Sequence, residues 1–547
     1  LAGFIALMPW WLSAQVTCDP VFPNVNSDVT IYFDATQGNG ALLGVSPVYA
    51  HMGVITNLST SPSDWKHVTT TWGVADPVGA MTLVSPNLWK KTINIQTFFN
   101  VPGNETVLKL AFVFRNTSGS IVGRAADGSD IFYPVYPANG ALQTIFVKPT
   151  MPSFLTSTGA QIPVKVATSK TAAMVLYDNG VQKGTANGVS LDATLTAGST
   201  GAHTVSLIAT AGTEADTISF VYIIPANIGL QNPPAGTELG INYIDDHSVR
   251  LELYAPKKQI VYAIGDFSNW LPDPAYQMRL STDSTTWWID ITGITPGQDV
   301  RFQYLVDGLI RVADPLSTTV LDPNNDSYIP SITYPNLTPY PTGKTSGIVS
   351  VLKTGQQPYN WQNNNYTRPK KTDLVIYELL LRDFVARHDY LTLLDTLNYF
   401  QRLGVTAIEL MPVNEFEGNS SWGYNPNFHK ALDKYYGTPE AFKMVVDACH
   451  ARGIAVILDV VYNHVTGSSP LAQLYWDATN NRPAANNPWL NPIAKHDYNV
   501  FNDFNHESLA TKAYVKNALK YWLNEYKVDG FRFDLSKGFT QKNTLGN

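Results

Sequence analysis

The sequence predicts a multidomain chain in which three N-terminal β-sandwich modules precede an incomplete (β/α)8 TIM barrel, of which only the first four strands are present. Up to about residue 335, runs with apolar residues at alternate positions are separated by Gly, Asn and Pro turns, the pattern of half-buried antiparallel strands. From Asp373 onward, near-continuous apolar runs alternate with segments of helical period. Polar residues collect at the ends of those later runs, as they do at the rim of a barrel.

A chain of 547 residues is too long for one core. Its charged fraction is low at 15% and its aromatic content high, with 13 Trp and 28 Tyr, which suits a neutral, polar ligand such as a carbohydrate. A net charge of −7 gives no electrostatic reason to expect nucleic acid. Residues 1–15 open with an apolar stretch, LAGFIALMPWWLSA, too short to span a bilayer and similar to the tail of a secretory signal. The expectation is therefore a secreted or cell-surface protein, exported by a bacterium, with no transmembrane segment. Cys18 and Cys449 fall in different expected domains, so no disulfide is predicted.

The first module, residues 16–147, contains the alternating runs VTIYFDAT and VLKLAFVFRN, with a hairpin connection expected at Asn116 to Gly119. Trp65, Trp72 and Trp89, with Tyr49 and His51, are expected in or beside its loops, where rings stack on sugar faces; the competing reading makes them sandwich core. The segment resembles starch-binding modules. Residues 148–225 carry the Asn179-Gly180 hairpin signal and no polar cluster, which reads as an immunoglobulin-like spacer. Residues 226–335 include VYAIGDFSNW and WWIDITGITPGQDVRFQYLVDG, and resemble the N-terminal domain of isoamylases, pullulanases and glycogen-branching enzymes. That resemblance makes Trp270 a candidate sugar contact. Residues 336–371 lack a periodic apolar pattern and read as a linker.

In residues 372–547, strands are expected at 374–381, 405–412, 454–461 and around Asp534. Gly404 stops the first helix, and Thr438-Pro439 starts the second. Val515, Leu519 and Trp522 share a face of the third. Alternation alone fits a doubly wound sheet or a barrel. The rim residues Glu378 and Arg382, Asn414 and Glu415, Asn463 and His464, Arg532 and Asp534 follow the barrel arrangement. Arg532 and Asp534 are two apart, so on a strand their side chains share a face, and a guanidinium there favours an ionised carboxylate.

The segments ELMPVNEF, SWGYNP, YGTPEAFKMVVDACHARGIAVILDVVYNH and DGFRFDLSK resemble the alpha-amylase family of glycoside hydrolases. The resemblance implies that Asp534 is the catalytic nucleophile and that Arg532 holds it ionised. It further implies substrate binding by His464, stacking of Tyr424 on the same sugar, Asp459 as the buried partner of Arg532, and Lys537 as the last motif residue. No cofactor is implied as required. Asn463 matches a calcium-ligand position, although Gly538 stands where calcium-dependent members often carry His. The expected substrate is an α-glucan polysaccharide such as starch, glycogen or pullulan, cleaved at α-1,4 or α-1,6 bonds with retention. Retention needs a second carboxyl as acid, expected after a following strand; the chain as written is therefore expected to be a fragment without activity of its own. The competing readings are a non-catalytic starch-capture protein and an α-glucan branching transferase.

Overall fold

The computed structural model describes residues 15–125 and 128–546; of the expected leader at 1–15, residues 1–14 lie outside them. These residues form two compact units. In the first, comprising residues 15–152, 161–196 and 204–220, the strands Val16–Asp19, Asp28–Asp34, Leu88–Asn94 and Thr82–Ser85 form one antiparallel sheet in that order. Tyr49–Thr56 pairs with Val107–Arg115 in a second. Alternate residues of the two, among them Ile31, Phe33, Met52 and Phe112, bury into one core, as the period-2 pattern requires. Trp89 corrects the loop expectation: it lies on a central strand, 4% exposed, and belongs to that core. The Asn116 to Gly119 connection is a hairpin, closed by a bond from the Asn116 amide to the Ile121 carbonyl. Gln161–Asp178 and Val181–Thr196 pair across Asn179-Gly180.

The second unit comprises residues 153–160, 197–203 and 221–546. Gly240–Asp245, Ser248–Tyr254, Thr286–Thr292 and Arg279–Leu280 form one of its sheets. Val261–Gly265, Asp299–Val306, Val349–Lys353 and Val320–Leu321 form another. Leu251, Trp287, Ile289, Phe302 and Tyr304 are buried in the same core. Val349–Lys353 falls inside the segment read as a linker. Four of its five residues are buried, and it pairs with both neighbours. Its period is only five residues long between Gly347 and Gly355, so sequence alone does not separate it from coil.

Beyond it, four parallel strands lie side by side in chain order: β1 (Ile376–Leu379), β2 (Ala407–Leu410), β3 (Ala455–Val460) and β4 (Gly530–Phe533). A doubly wound sheet reverses its strand order at a switch point, whereas a barrel adds each strand to the same side. The unreversed 1-2-3-4 order is that of a barrel wall. The connecting helices are α1 (Tyr390–Leu403), α2 (Pro439–His450) and α3 (Leu509–Glu525). Asp389 caps α1 at the Thr392 amide and Gly404 closes it in a left-handed conformation; Thr438 caps α2 with Pro439 in the first turn. Leu397, Phe400, Phe442, Val446 and Trp522 pack on Ile408, Val456 and Leu458, each worth about 1.5–3 kcal/mol for a fully buried aliphatic or aromatic side chain.

The buried face of α3 is centred on Tyr514, Ala518 and Trp522 rather than on Val515 and Leu519. Its helix serves two cores at once, with Tyr514 in that of the β-module and Trp522 in that of the barrel sheet, so the face lies between the two stripes. Among the described residues, no helix is long and apolar enough to cross a membrane.

His429, on the strand Pro426–Leu432, ties these elements together. Its Nε2 faces the Val461 carbonyl at 2.7 Å and its Nδ1 the Tyr514 hydroxyl at 3.1 Å. Burial pushes its pKa down from 6.5 to about 4. The unfolded chain then binds a proton that the folded chain refuses, so stability falls as pH drops from 6.5 towards 4, by about 3 kcal/mol from this residue. His464 and His506, also lowered by burial, act in the same direction. Urea denaturation at pH 7 and pH 4.5 is expected to show this loss, and His429→Gln to reduce the difference between the two pH values.

Candidate active site

The site is built at the carboxyl ends of β3 and β4. Register pairs Asp459 on β3 with Arg532 on β4, and the guanidinium spans the gap. Its Nη1 donates to both Asp459 oxygens, at 3.0 and 3.1 Å, and to Asp534 Oδ1 at 2.7 Å. Asp534 lies one residue past the strand, its amide donating to the Val460 carbonyl, and Leu535 then turns the chain with φ 48°.

Asp459 is fully buried. Burial raises its pKa, against the hydrogen bonds from Tyr424 and Arg532. Burial also opposes the charge on Arg532, but the bonds to Asp534 and Asp459 outweigh it and carry the guanidinium above its usual range. Tyr424 donates its hydroxyl to Asp459 Oδ2 at 2.7 Å, and burial together with that bond raises its pKa. Gly423 allows the approach: a Cβ there would stand 2.5 Å from the Pro412 carbonyl oxygen.

The structure thus brings together Arg532, Asp534, Asp459 and Tyr424, and separates other expected members. His464 is 2% exposed; its Nε2 donates to the Tyr424 carbonyl at 2.8 Å and its Nδ1 accepts from Asn463 Nδ2 at 3.1 Å. In this conformation it fixes Tyr424 and is not open to a sugar, with the Phe501 ring 5.5 Å from its own. Trp270 corrects the sequence expectation most clearly. It is 1% exposed, packs on Leu321 and Val349, and donates Nε1 to Asp266 at 3.3 Å. A tryptophan after a turn reads alike as platform or core, and the covering segment around Leu337 and Tyr340 decides for core. Lys537 is exposed on the turn Ser536–Phe539, its Nζ 5.8 Å from the Tyr498 ring centre.

Of the remaining rim residues, Arg382 pairs with Asp383 at 2.7 Å, and Asn414 donates to the His429 carbonyl. Glu415 is buried against Lys434, which Asp326 also meets at 3.3 Å. These are structural pairs. Glu409, which sequence reasoning passed over, stands beside Glu378, and both bring carboxylate oxygens within 4.8 Å of Asp459. Burial, then Glu378 and Asp459, raises the Glu409 pKa. Glutamates at the same register of adjacent parallel strands were the available signal.

The residues around Asn463 do not fit calcium. The ion takes six to eight oxygen ligands. Asn463 Oδ1 is buried and unpartnered, but the space beside it holds the Gly538 backbone and the His496 ring. The carboxylate of nearby Asp503 is engaged by His496 at 2.9 Å and Asn491 at 2.7 Å.

Removing one member of a buried ion pair strands the other, at a cost of about 3–5 kcal/mol. Arg532→Leu is expected to destabilise the barrel unit towards the lower end of that range, because the Arg532 side chain is 42% exposed. Adding Asp459→Leu is expected to recover at least half of the loss, as measured by a double-mutant cycle in urea.

Residues 388–491 match the family model of the alpha-amylase catalytic domain. The chain is 32% identical over 293 residues to the malto-oligosyltrehalose trehalohydrolase of Saccharolobus solfataricus, covering 53% of this chain and 44% of that protein. It is 29% identical over 316 residues to the 1,4-alpha-glucan branching enzyme GlgB of Nitrosomonas europaea, covering 54% and 39%. The chain therefore spans less than half the length of these curated relatives. A crystal structure of apo pullulanase from Paenibacillus barengoltzii aligns with a TM-score of 0.44 at 21% identity, over 56% of this chain and 49% of that one. The sequence of residues 388–491, which includes α2 and β3, is thus that of an alpha-amylase catalytic domain.

Proposed function

We propose that the protein cleaves α-glucosidic bonds in starch-like α-glucans by a retaining double displacement, with Asp534 as nucleophile. The observation that carries this reading is the single Arg532 nitrogen shared by Asp459 and Asp534 at the mouth of the parallel sheet. A carboxylate fixed on one side by a guanidinium keeps its other oxygen for the anomeric carbon. Attack forms a glycosyl ester as the glycosidic C–O bond breaks; water then releases the sugar and restores the carboxylate.

A second carboxyl must protonate the leaving oxygen from about 5–5.5 Å away. Asp459 is unsuited, being fully buried and bonded to Arg532 and Tyr424. We assign Asp459 and Tyr424 to positioning. Relatives named as a trehalohydrolase and a branching enzyme support α-glucan as substrate class. Hydrolysis is favoured over branch transfer by the Asp459 to His464 stretch and by the expected export. Product analysis on pullulan and amylose separates the two. There Asp534→Asn is expected to lower kcat by more than about 10⁴-fold while glucan binding persists; near-wild-type turnover removes Asp534 from its role.

We further propose that the first β-module holds the polymer. Trp72 is 45% exposed, its ring perpendicular to His51 at 5.3 Å, and His51 stacks with Trp65 at 6.0 Å. The Arg115 guanidinium, 5.8 Å from the Trp72 ring centre, supports it from the protein side. Each stacked ring is worth about 0.5–1.5 kcal/mol beyond its buried area, so Trp72→Ala is expected to weaken retention on insoluble starch several-fold. Unchanged retention excludes this platform.

A further inference from the structure

We infer that the exposed rings of Tyr498 and Phe501 form a sugar-stacking wall beside Asp534, and that this wall, rather than His464, meets the glucan there. Both rings sit on the loop 497–501, which is exposed throughout yet pinned at both ends. Before it, the fully buried His496 donates Nε2 to Asp503 at 2.9 Å and accepts the Tyr498 amide at Nδ1, 3.1 Å away. After it, Asn502 and Asp503 pair with Val465 and His464, and the Asn502 side chain donates to the Val465 carbonyl at 3.1 Å. Within it, the Tyr498 carbonyl accepts from Asn463 Nδ2 at 3.3 Å. Directional bonds thus fix the loop backbone while Tyr498 stays 40% exposed and Phe501 53%.

Two features set this loop apart from a solvated turn. Phe501 has φ 49°, a left-handed conformation that a bulky L-residue adopts only at a cost and a glycine adopts freely. A ring half in water repays little of that cost by packing, and strain of this kind collects at ligand sites. What the strained backbone secures is position. The Phe501 ring lies 5.5 Å from that of His464, tilted by 44°, and the Asp534 carboxylate is close enough to act on the His464 charge. On the turn that follows Asp534, Lys537 Nζ stands 5.8 Å from the Tyr498 ring centre. The rings offer apolar faces, and the Lys537 ammonium and Tyr498 hydroxyl offer donors. A hexose has apolar C–H faces that lie flat on rings and hydroxyl oxygens that accept, so it matches both. His464 itself is 2% exposed with both nitrogens engaged, so the contact expected of it falls to the exposed ring packed against it.

The choice of an α-glucan rests on the function proposed above; the place of the wall rests on the loop. The test is calorimetric titration of maltohexaose into the full chain carrying Trp72→Ala, which removes the ring proposed for the first module, and Asp534→Asn, which stops turnover. In that background Phe501→Gly is expected to weaken binding about two- to tenfold, the worth of one stacked ring, and Phe501→Tyr to restore it to within about twofold. Because glycine suits the left-handed backbone, the melting temperature of Phe501→Gly is expected to hold or rise, which separates a lost contact from a lost fold. Should it fall, Tyr498→Ala decides: a several-fold loss of affinity upholds the wall and an unchanged affinity overturns it. Equal weakening by Phe501→Gly and Phe501→Tyr also overturns it. Maltohexaose bound equally by the background chain and by the folded wall variants overturns the wall and leaves the proposed function standing, whereas no maltohexaose bound by the background chain overturns both.

Discussion

One guanidinium carries the architecture of the site. Arg532 lies on an edge of the four-stranded sheet, yet its Nη1 meets a carboxylate from the neighbouring strand and one from its own. Asp459 is fully buried and cannot remain charged there without that cation. The pairing of β3 with β4, the burial of Asp459 and the orientation of Asp534 are thus one constraint. Tyr424 extends it by donating to Asp459, and His464 by holding the Tyr424 carbonyl. The chain from Gly423 to Asp534 is therefore braced by directional bonds rather than by packing alone.

A second cluster is organised on the same logic without offering chemistry. Lys434 is buried among Glu415 and Asp326, with Asp433 close in sequence. Burial raises the pKa of Asp433 to about 7 and also raises that of Glu415, with Lys434 opposing both. The cluster joins the turn at Asp326 to the hairpin Asn414–Phe416 and Pro426–Leu432. Buried ion pairs of this kind contribute little net stability compared with apolar packing, but they penalise alternative packings in which a charge is left alone. Helix α3 does similar work with apolar groups, placing Tyr514 and Trp522 in two different cores.

The alternating strands and helices after Asp373, the caps at Thr438 and Gly404, and the Arg532-x-Asp534 spacing were legible because each depends on neighbours in sequence. The starting residue of a strand or helix is less legible: β1 is Ile376–Leu379 rather than the whole apolar run, because Leu381–Phe384 turns into a short helix. Val349–Lys353 was invisible as a strand because its partners lie across the module.

The sequence by itself determined the parallel order of chemistry along the chain: which residue types end each strand, and that a cation and a carboxylate share a face at residues 532 and 534. Local periodicity and spacing suffice for that, since they fix direction within a single element. Only the tertiary structure decided exposure. Trp270 and Trp89 became core and Trp72 stayed at the surface, and Glu415 was consumed by Lys434. The physical reason is that burial and hydrogen-bond satisfaction are properties of what packs opposite a residue, and those partners come from segments tens of residues away.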